Sequence, residues 1–457
     1  MKANFIVLFF CLLVFFLTSC VKNDDILSSD EILKLEVLNY DDYLSPEVMK
    51  ADFKFLVKKI LEVHPDPKRN IGDNWDRLVQ QTESQFNKPM SAREYAISLM
   101  SFTSQLKDAH TGVYPMNMKD KFLPVKFEWV KEGLLIVESN NELLQVGDLV
   151  IKVGNYSIEE VINFMSRIIS AENEYWIKEK GKDFLTREIF LRSLSVWKDH
   201  SVSLTIERNN KLLTFDVDLV DRNELQIKNK EASPWFSWEI LEDKGIGYFN
   251  ISESMMTIYY DKKVLMFFEE MERKNIGKLV IDLRKNSGGT SEVMTPFLKH
   301  IQIEPIYSMT SKVKYSEEAM KQIGYQETFG LKEYHSQVGE STLREPQFNG
   351  EIFILTSYAT FSSGNMFAVH FHDTKKATII GEPTGNKPTQ FGDPLPVELP
   401  FTKYTLVISH KEFMRPDQSL NSEPTLLPDI LIEKEKEDFL YGKDGQLERI
   451  LSLISNE

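Results

Sequence analysis

Leu279-Val280-Ile281-Asp282-Leu283-Arg284-Lys285-Asn286-Ser287-Gly288-Gly289 is an apolar run that passes into a polar loop closed by two glycines. A continuous apolar run bounded by turn residues reads as a strand buried on both faces. Paired glycines let the backbone turn with positive φ and bare its N–H groups to an incoming group. Further on, the run Ile352-Phe353-Ile354-Leu355-Thr356 leads into Ser357-Tyr358-Ala359-Thr360-Phe361-Ser362-Ser363-Gly364-Asn365. This is a second buried strand and a short loop, followed by a helix whose N-terminus falls at Ser362. Around these two segments the pattern alternates. A strand over Gly245–Ile251 precedes a helix over Asp261–Lys274, with Val264, Phe267, Phe268 and Met271 on one face. A helix over Phe361–Asp373 precedes a strand over Ala377–Ile380. Strands alternating with helices predict a parallel sheet and an α/β core.

The core is one part of a longer chain. The 457 residues allow two to four domains. Apolar residues make up 42% and charged residues 27%, which is globular composition and excludes a disordered or collagenous chain. A net charge of −15 with no clustered Lys/Arg block argues against nucleic acid as a partner. Ser45-Pro46-Glu47 reads as a helix start, with Ser as cap and Pro at the first helical position. Ser91 with Glu94 reads as a capping box opening a third helix. Residues 46–118 are therefore expected to be a small helical domain. Strand-like runs follow, with a hairpin around Asn209-Asn210. Gly147-Asp148-Leu149-Val150-Ile151-Lys152-Val153-Gly154-Asn155 resembles a PDZ-like module, expected over 119–225. Residues 158–198 are a helix-rich insertion that a compact PDZ domain lacks, which argues against peptide binding there.

Three segments carry candidate chemistry. Ser362 at a helix N-terminus has unpaired N–H groups and the positive dipole end beside it, which suit an oxyanion. The helix from Ser362 runs roughly 18 Å at ~1.5 Å per residue, and the strand after it returns roughly 17 Å at ~3.3 Å per residue. The loop Glu382-Pro383-Thr384-Gly385-Asn386-Lys387 should therefore come back to Ser362 and bring Lys387 within reach. His110, in Lys107-Asp108-Ala109-His110-Thr111, stands between the helical region and a strand. A His needs little tuning to act as a base near pH 7, whereas a Lys must be desolvated first.

In this order and spacing these segments resemble the S41 family of serine peptidases, the C-terminal processing or tail-specific proteases. The family's "DLR-x-N-x-GG" stands as Asp282–Gly289, its nucleophile segment as Ser362-Ser363-Gly364-Asn365, and its "GE-x-T-x-G" as Gly381–Gly385. The resemblance covers about 46–435. It implies a catalytic domain of the ClpP/crotonase-like type over 235–435, followed by a C-terminal helix over 436–457. It implies Ser362 as nucleophile, with the N–H of Ser363 and one from Gly288 or Gly289 as the oxyanion hole. Two bases stay open. Lys387 matches the processing-protease branch. His110 matches the tricorn and retinoid-binding-protein-like branch, which the "DAHT" form favours. Glu423, before Pro424 and close to Pro428-Asp429, corresponds to that branch's assisting Glu. The expected partner is a polypeptide substrate, with no cofactor and no metal. The alternative is a non-catalytic peptide- or ligand-binding lipoprotein on the same fold.

Other motifs are missing. There is no Gly-x-Ser-x-Gly elbow, Walker loop or Rossmann fingerprint. His370 and His372, two apart on a helix, point to nearly opposite sides and would not chelate one ion.

Residues 1–19 have the form of a secretory signal: a basic start, the apolar run Phe5–Leu17, then small residues. Leu17-Thr18-Ser19-Cys20 resembles the lipobox of bacterial lipoproteins, which would make Cys20 the lipid-bearing first residue of a tether over 20–45. Cys11 and Cys20 are the two cysteines of the chain. The mature protein would then have no free thiol, and Cys nucleophiles and disulfides are excluded. The location expected is the bacterial envelope, lipid-anchored at the outer membrane on its periplasmic or surface face. Replacing the lipid-bearing residue, Cys20→Ala, should leave the protein unprocessed or soluble on cell fractionation. Processed variant protein in the membrane fraction would refute the lipobox reading.

Overall fold

The structure is a computed structural model and describes residues 26–27, 29–32, 37–225, 234–303, 306–307, 309–335, 338–339 and 343–456. The signal segment, Cys20 and the first part of the tether lie outside the described residues. Among those described, no helix is long and apolar enough to cross a membrane.

The chain adopts the mixed α/β class that its pattern predicts. A six-stranded sheet has the order Phe236–Leu241, Ile246–Ile251, Lys278–Asp282, Glu351–Thr356, Thr378–Gly381, Ile430–Leu431. The first pair is antiparallel and every other pair is parallel. The apolar runs lack alternation because both faces are covered. Leu279, Ile281, Ile352 and Ile354 pack with Val264, Phe267 and Phe268 of the helix Ile258–Arg273 and with Phe367 and Phe371 of the helix Ser363–Asp373. Val280, Phe353, Leu355 and Ile380 meet Ile450, Leu451 and Ile454 of the C-terminal helix Gly445–Asn456.

A seven-stranded antiparallel sheet precedes this core. Its hairpin Ser201–Arg208/Lys211–Asp218 turns at Asn209 and Asn210, both with positive φ, as a two-residue turn requires. Three helices are inserted in it: Ile158–Met165, Glu174–Phe184 and Glu188–Ser193.

The N-terminal helices form where the caps predict. Pro46–Val63 starts with Ser45 Oγ accepting the Val48 N–H, and Ala92–Ser104 starts with the reciprocal Ser91–Glu94 box. They share their core with other elements. Phe53, Leu56, Tyr95 and Leu99 pack in one cluster with Tyr404, Leu406 and Ile408, and the cluster continues into the seven-stranded sheet. Buried Asp52 accepts the N–H groups of Phe401 and Thr402, each at 2.9 Å. Tyr404, Leu406 and Ile408 belong to a third sheet, of order Phe329–Tyr334, Thr310–Ser316, Thr405–Met414, Gln390–Glu398, with Gly112–Tyr114 paired to Thr405–Met414. The strand pattern in the sequence does not announce this sheet. Its hairpin carries Pro394 and Pro396, and its pairing skips Asp393, which has φ +53°, while the register is kept on both sides.

Arg415, fully buried just after that hairpin, grips Asp373 at the end of the helix Ser363–Asp373, with Nη2–Oδ1 at 2.6 Å and Nε–Oδ2 at 3.0 Å. Asp373 is itself fully buried. Arg415→Met takes the guanidinium from that carboxylate and leaves it His372 and the Asp417 N–H, and chemical denaturation should register a loss of about 3–5 kcal/mol. A loss under 1 kcal/mol would mean that the pair is not a support of the helix.

Candidate active site

Two neighbouring strands deliver the site. Lys278–Asp282 and Glu351–Thr356 run parallel, with Asp282 opposite Leu355, so the loops leaving their carboxyl ends lie side by side. Leu283 N–H donates to Leu355 O, Thr360 Oγ1 to Leu283 O, Ser357 Oγ to Arg284 O, and Phe361 N–H to Asn286 O. Asp282 and Arg284 form a clamp: Arg284 pairs with Asp282, Asp444 and Gln446, and Tyr248 donates to Asp282. Their charge ties the loop base to the C-terminal helix.

Ser362 sits at the N-cap of the helix Ser363–Asp373 with φ +52° and ψ −124°, a conformation that costs a non-glycine residue about 1–3 kcal/mol. Its N–H donates to Asn386 Oδ1 at 2.9 Å. The loop that holds Asn386 does return to Ser362, as the element lengths predict. Gly288 lies against Ser362, and a Cβ there would come within 2.6 Å of Ser362 Cβ and 3.1 Å of Oγ. At Gly289 a Cβ would fall 2.1 Å from Ser254 O. The two glycines differ in their N–H groups. That of Gly288 donates to Asn286 Oδ1 at 3.0 Å, whereas that of Gly289 has no partner among the described residues. The Ser363 N–H is also unpaired, and Ser363 Oγ donates to Gly289 O at 2.7 Å. Of the two glycines expected at an oxyanion hole, Gly289 has the free donor.

His110 is buried and packs against Phe361 with the rings tilted by 30° and their centroids 4.5 Å apart. Trp176 stacks on Phe361 at 3.7 Å. Among the described residues neither ring nitrogen of His110 makes a well-formed hydrogen bond, and the Phe391 backbone is the polar group that faces the ring. Burial holds its pKa below the usual histidine value, with the carboxylates of Asp108 and Asp393 opposing. The loop under it is organised by fully buried Asp108, which accepts from His110 N–H (2.9 Å), Thr111 Oγ1 (2.5 Å) and Ser409 Oγ (2.7 Å). His64 accepts the Asp66 N–H at Nδ1 and so offers its Nε2–H to Asp108 at 3.2 Å. Burial alone would raise the Asp108 carboxyl, but the His64 bond, with His110 and Thr111, brings it down to about 2.

Lys387 is partly exposed and lines a cleft of about 130 Å³ with Arg69, Lys107, Glu172 and Gln390. Its backbone carbonyl accepts from Asn365 Nδ2 at 3.2 Å, and its ammonium has no partner among the described residues. No hydrogen bond joins Ser362 Oγ to His110 or Lys387. Glu423 stands beside the same cleft, but its carboxylate is committed to Arg415 at 2.5 Å. Three contacts with the Ser362 segment escape sequence reasoning. Gln390 Nε2 approaches Ser362 O at 3.4 Å, Trp176 covers Phe361, and Glu172 bonds Asn386. Trp176 and Glu172 come from the helical insertion, which carries no motif. Asn386 adjoins the quoted "GE-x-T-x-G" segment and is the one within reach of pattern reading.

Residues 245–431 match the model of peptidase family S41. This segment, which carries Gly288, Gly289 and Ser362, is similar to that family, and by class the protein is a serine-type peptidase. Its fold is similar to that of mature CPAF, solved in complex with lactacystin: 14% identity, 90% of this chain and 99% of that chain covered, TM-score 0.66. The photosystem II D1 C-terminal processing protease aligns over 89% of this chain and 97% of its own, with 11% identity and a TM-score of 0.47. No curated protein matches the sequence.

Gly288→Ala puts a methyl group into the space of Ser362 at a residue with φ +108°. Fluorophosphonate labelling of Ser362 should slow by about 10²-fold, the cost of displacing a reacting group by roughly 1 Å, while circular dichroism stays native. An unchanged labelling rate would show that the contact does not set the nucleophile.

Proposed function

We propose that this peptidase is a secreted, lipid-anchored serine endopeptidase of the bacterial envelope that works through an acyl-enzyme on Ser362. One observation carries the mechanism: Ser362 is held at positive φ in a loop cluster where the N–H groups of Ser363 and Gly289 have no partner among the described residues. Ser362 Oγ attacks the scissile carbonyl carbon and its proton passes to the neutral imidazole of His110. The carbonyl oxygen becomes an oxyanion between the two N–H groups. Collapse breaks the C–N bond, and the imidazolium gives its proton to the leaving amine. Water then attacks the ester, with His110 again taking the proton, and releases the acid. His110 is the proposed base because it is buried, neutral and packed on the residue before Ser362. Lys387 is assigned to the substrate cleft. The anchor rests on the lipobox-like Leu17–Cys20.

The reading on the same fold without catalysis draws on one fact, the missing hydrogen bond from Ser362 Oγ to His110. Fluorophosphonate labelling with mapping of the adduct separates the two: an adduct on Ser362 supports the enzyme, and folded protein without one supports the binding protein.

His110→Ala should remove nearly all turnover, at least the 10²–10⁴-fold typical of a general base, whereas Lys387→Ala should keep a measurable fraction. Because burial lowers the His110 pKa, the base form persists into mildly acid solution. The rising limb of kcat/KM should have its midpoint below 6.5 and vanish in His110→Ala. An inert Lys387→Ala beside an active His110→Ala, both folded, would reassign the base to Lys387.

A further inference from the structure

Glu172 lies between the helices Ile158–Met165 and Glu174–Phe184, in the insertion of the central module and far in sequence from every recognised motif. Its carboxyl group reaches two other segments. Oε1 accepts the Ala109 N–H at 3.1 Å, next to His110. Oε2 accepts Asn386 Nδ2 at 3.2 Å, and Asn386 Oδ1 in turn receives the Ser362 N–H. The insertion is pinned at the same place by two more contacts: Asn173 Nδ2 donates to Gly385 O and Pro424 O, and Trp176 stacks on Phe361. Gly385 has no room for a side chain because Trp176 would lie 2.7 Å from its Cβ.

We propose that Glu172 is a positioning residue of the active site, joining the His110 segment to Asn386 and, through Asn386, holding Ser362 in its left-handed conformation. This rests on the serine-peptidase reading above. The bridge is made by a module outside the core that supplies Ser362, so the site is complete only when the insertion is docked.

The state of the carboxyl group has a consequence for rate. Burial and the nearby Asp108 carboxylate raise its pKa to about 8. The other ionisable groups around it are His110 on the neighbouring loop and Lys107, Lys387 and Arg69, which line the same cleft. Below about 8 Glu172 is neutral. Above it, a negative charge stands one amide away from the nucleophile's N–H and opposes the developing oxyanion.

The test uses the full-length protein and the rate of fluorophosphonate labelling at Ser362 between pH 5 and 10. In the wild type the rate should fall on the alkaline side with a midpoint near 8. In Glu172→Gln that limb should vanish and the rate at pH 7 should drop at least tenfold, with the melting temperature recorded alongside. Asn386→Ala should cause a similar drop, and the double variant should be no slower than the slower single variant, since both break one bridge. Additive losses, or an alkaline limb retained in Glu172→Gln, overturn the proposal. A wild type with no decline up to pH 9 overturns it even if the variants fail to fold. A wild type that never labels at Ser362 defeats the peptidase reading itself, and this proposal with it, whereas a labelled wild type with a flat alkaline profile defeats this proposal alone.

Discussion

Gly288 touches Ser362, and the rest of the site depends on that contact. A Cβ at Gly288 would overlap Ser362 at 2.6 Å, so the two loops approach as closely as bare backbone allows. The contact exists because Lys278–Asp282 and Glu351–Thr356 are adjacent parallel strands whose loops leave from the same end of the sheet. It also confines the strained Ser362. Gly288 blocks one side, Asn386 holds the N–H, and Phe361 is clamped between Trp176 and His110. Such backbone strain persists only where neighbours over-determine it.

Buried charge positions the parts that carry no covalent role. Asp108 gathers four donors from three segments (His64, its own loop at His110 and Thr111, and Ser409) and so fixes the loop on which His110 rides. A second cluster joins the central module to the core. Lys434 lies between Glu128 at 3.1 Å and Glu382 at 3.4 Å, and Lys182 meets Glu128 at 2.9 Å. Burial would raise the Glu128 carboxyl, but the two lysines hold it down to about 2. Removing any one member would leave an uncompensated buried charge, so the cluster sets how the insertion docks.

The division of labour follows from these contacts. The α/β core supplies Ser362 and the unpaired N–H groups. The segment after the N-terminal helices supplies His110 and is pinned by the third sheet, where Ser409 N–H donates to Thr111 Oγ1. The central module covers the site from above with Trp176 and Glu172. No single module holds all the groups that surround Ser362.

The sequence by itself determined what local chemistry encodes. Continuous apolar runs could only be strands covered on both faces, and Ser45, Ser91 and Glu94 marked helix starts because caps act within one turn. The Gly288-Gly289 pair and Ser362 stood out because positive φ and a helix N-terminus are properties of a few consecutive residues. Tertiary structure decided what depends on partners distant in the chain. Which glycine N–H is free rests on Asn286, whose Oδ1 takes that of Gly288 while Ser254, 32 positions away, donates to the same oxygen. Glu172 stands beside the His110 loop because packing joins distant residues, 214 positions apart in the Glu172–Asn386 bond, and Glu423 is committed to Arg415, which the same packing buries against Asp373. The third sheet stayed hidden for the same reason: its hairpin carries prolines and a gap in its pairing at Asp393, and it is stabilised by packing on the N-terminal helices rather than by its own pattern.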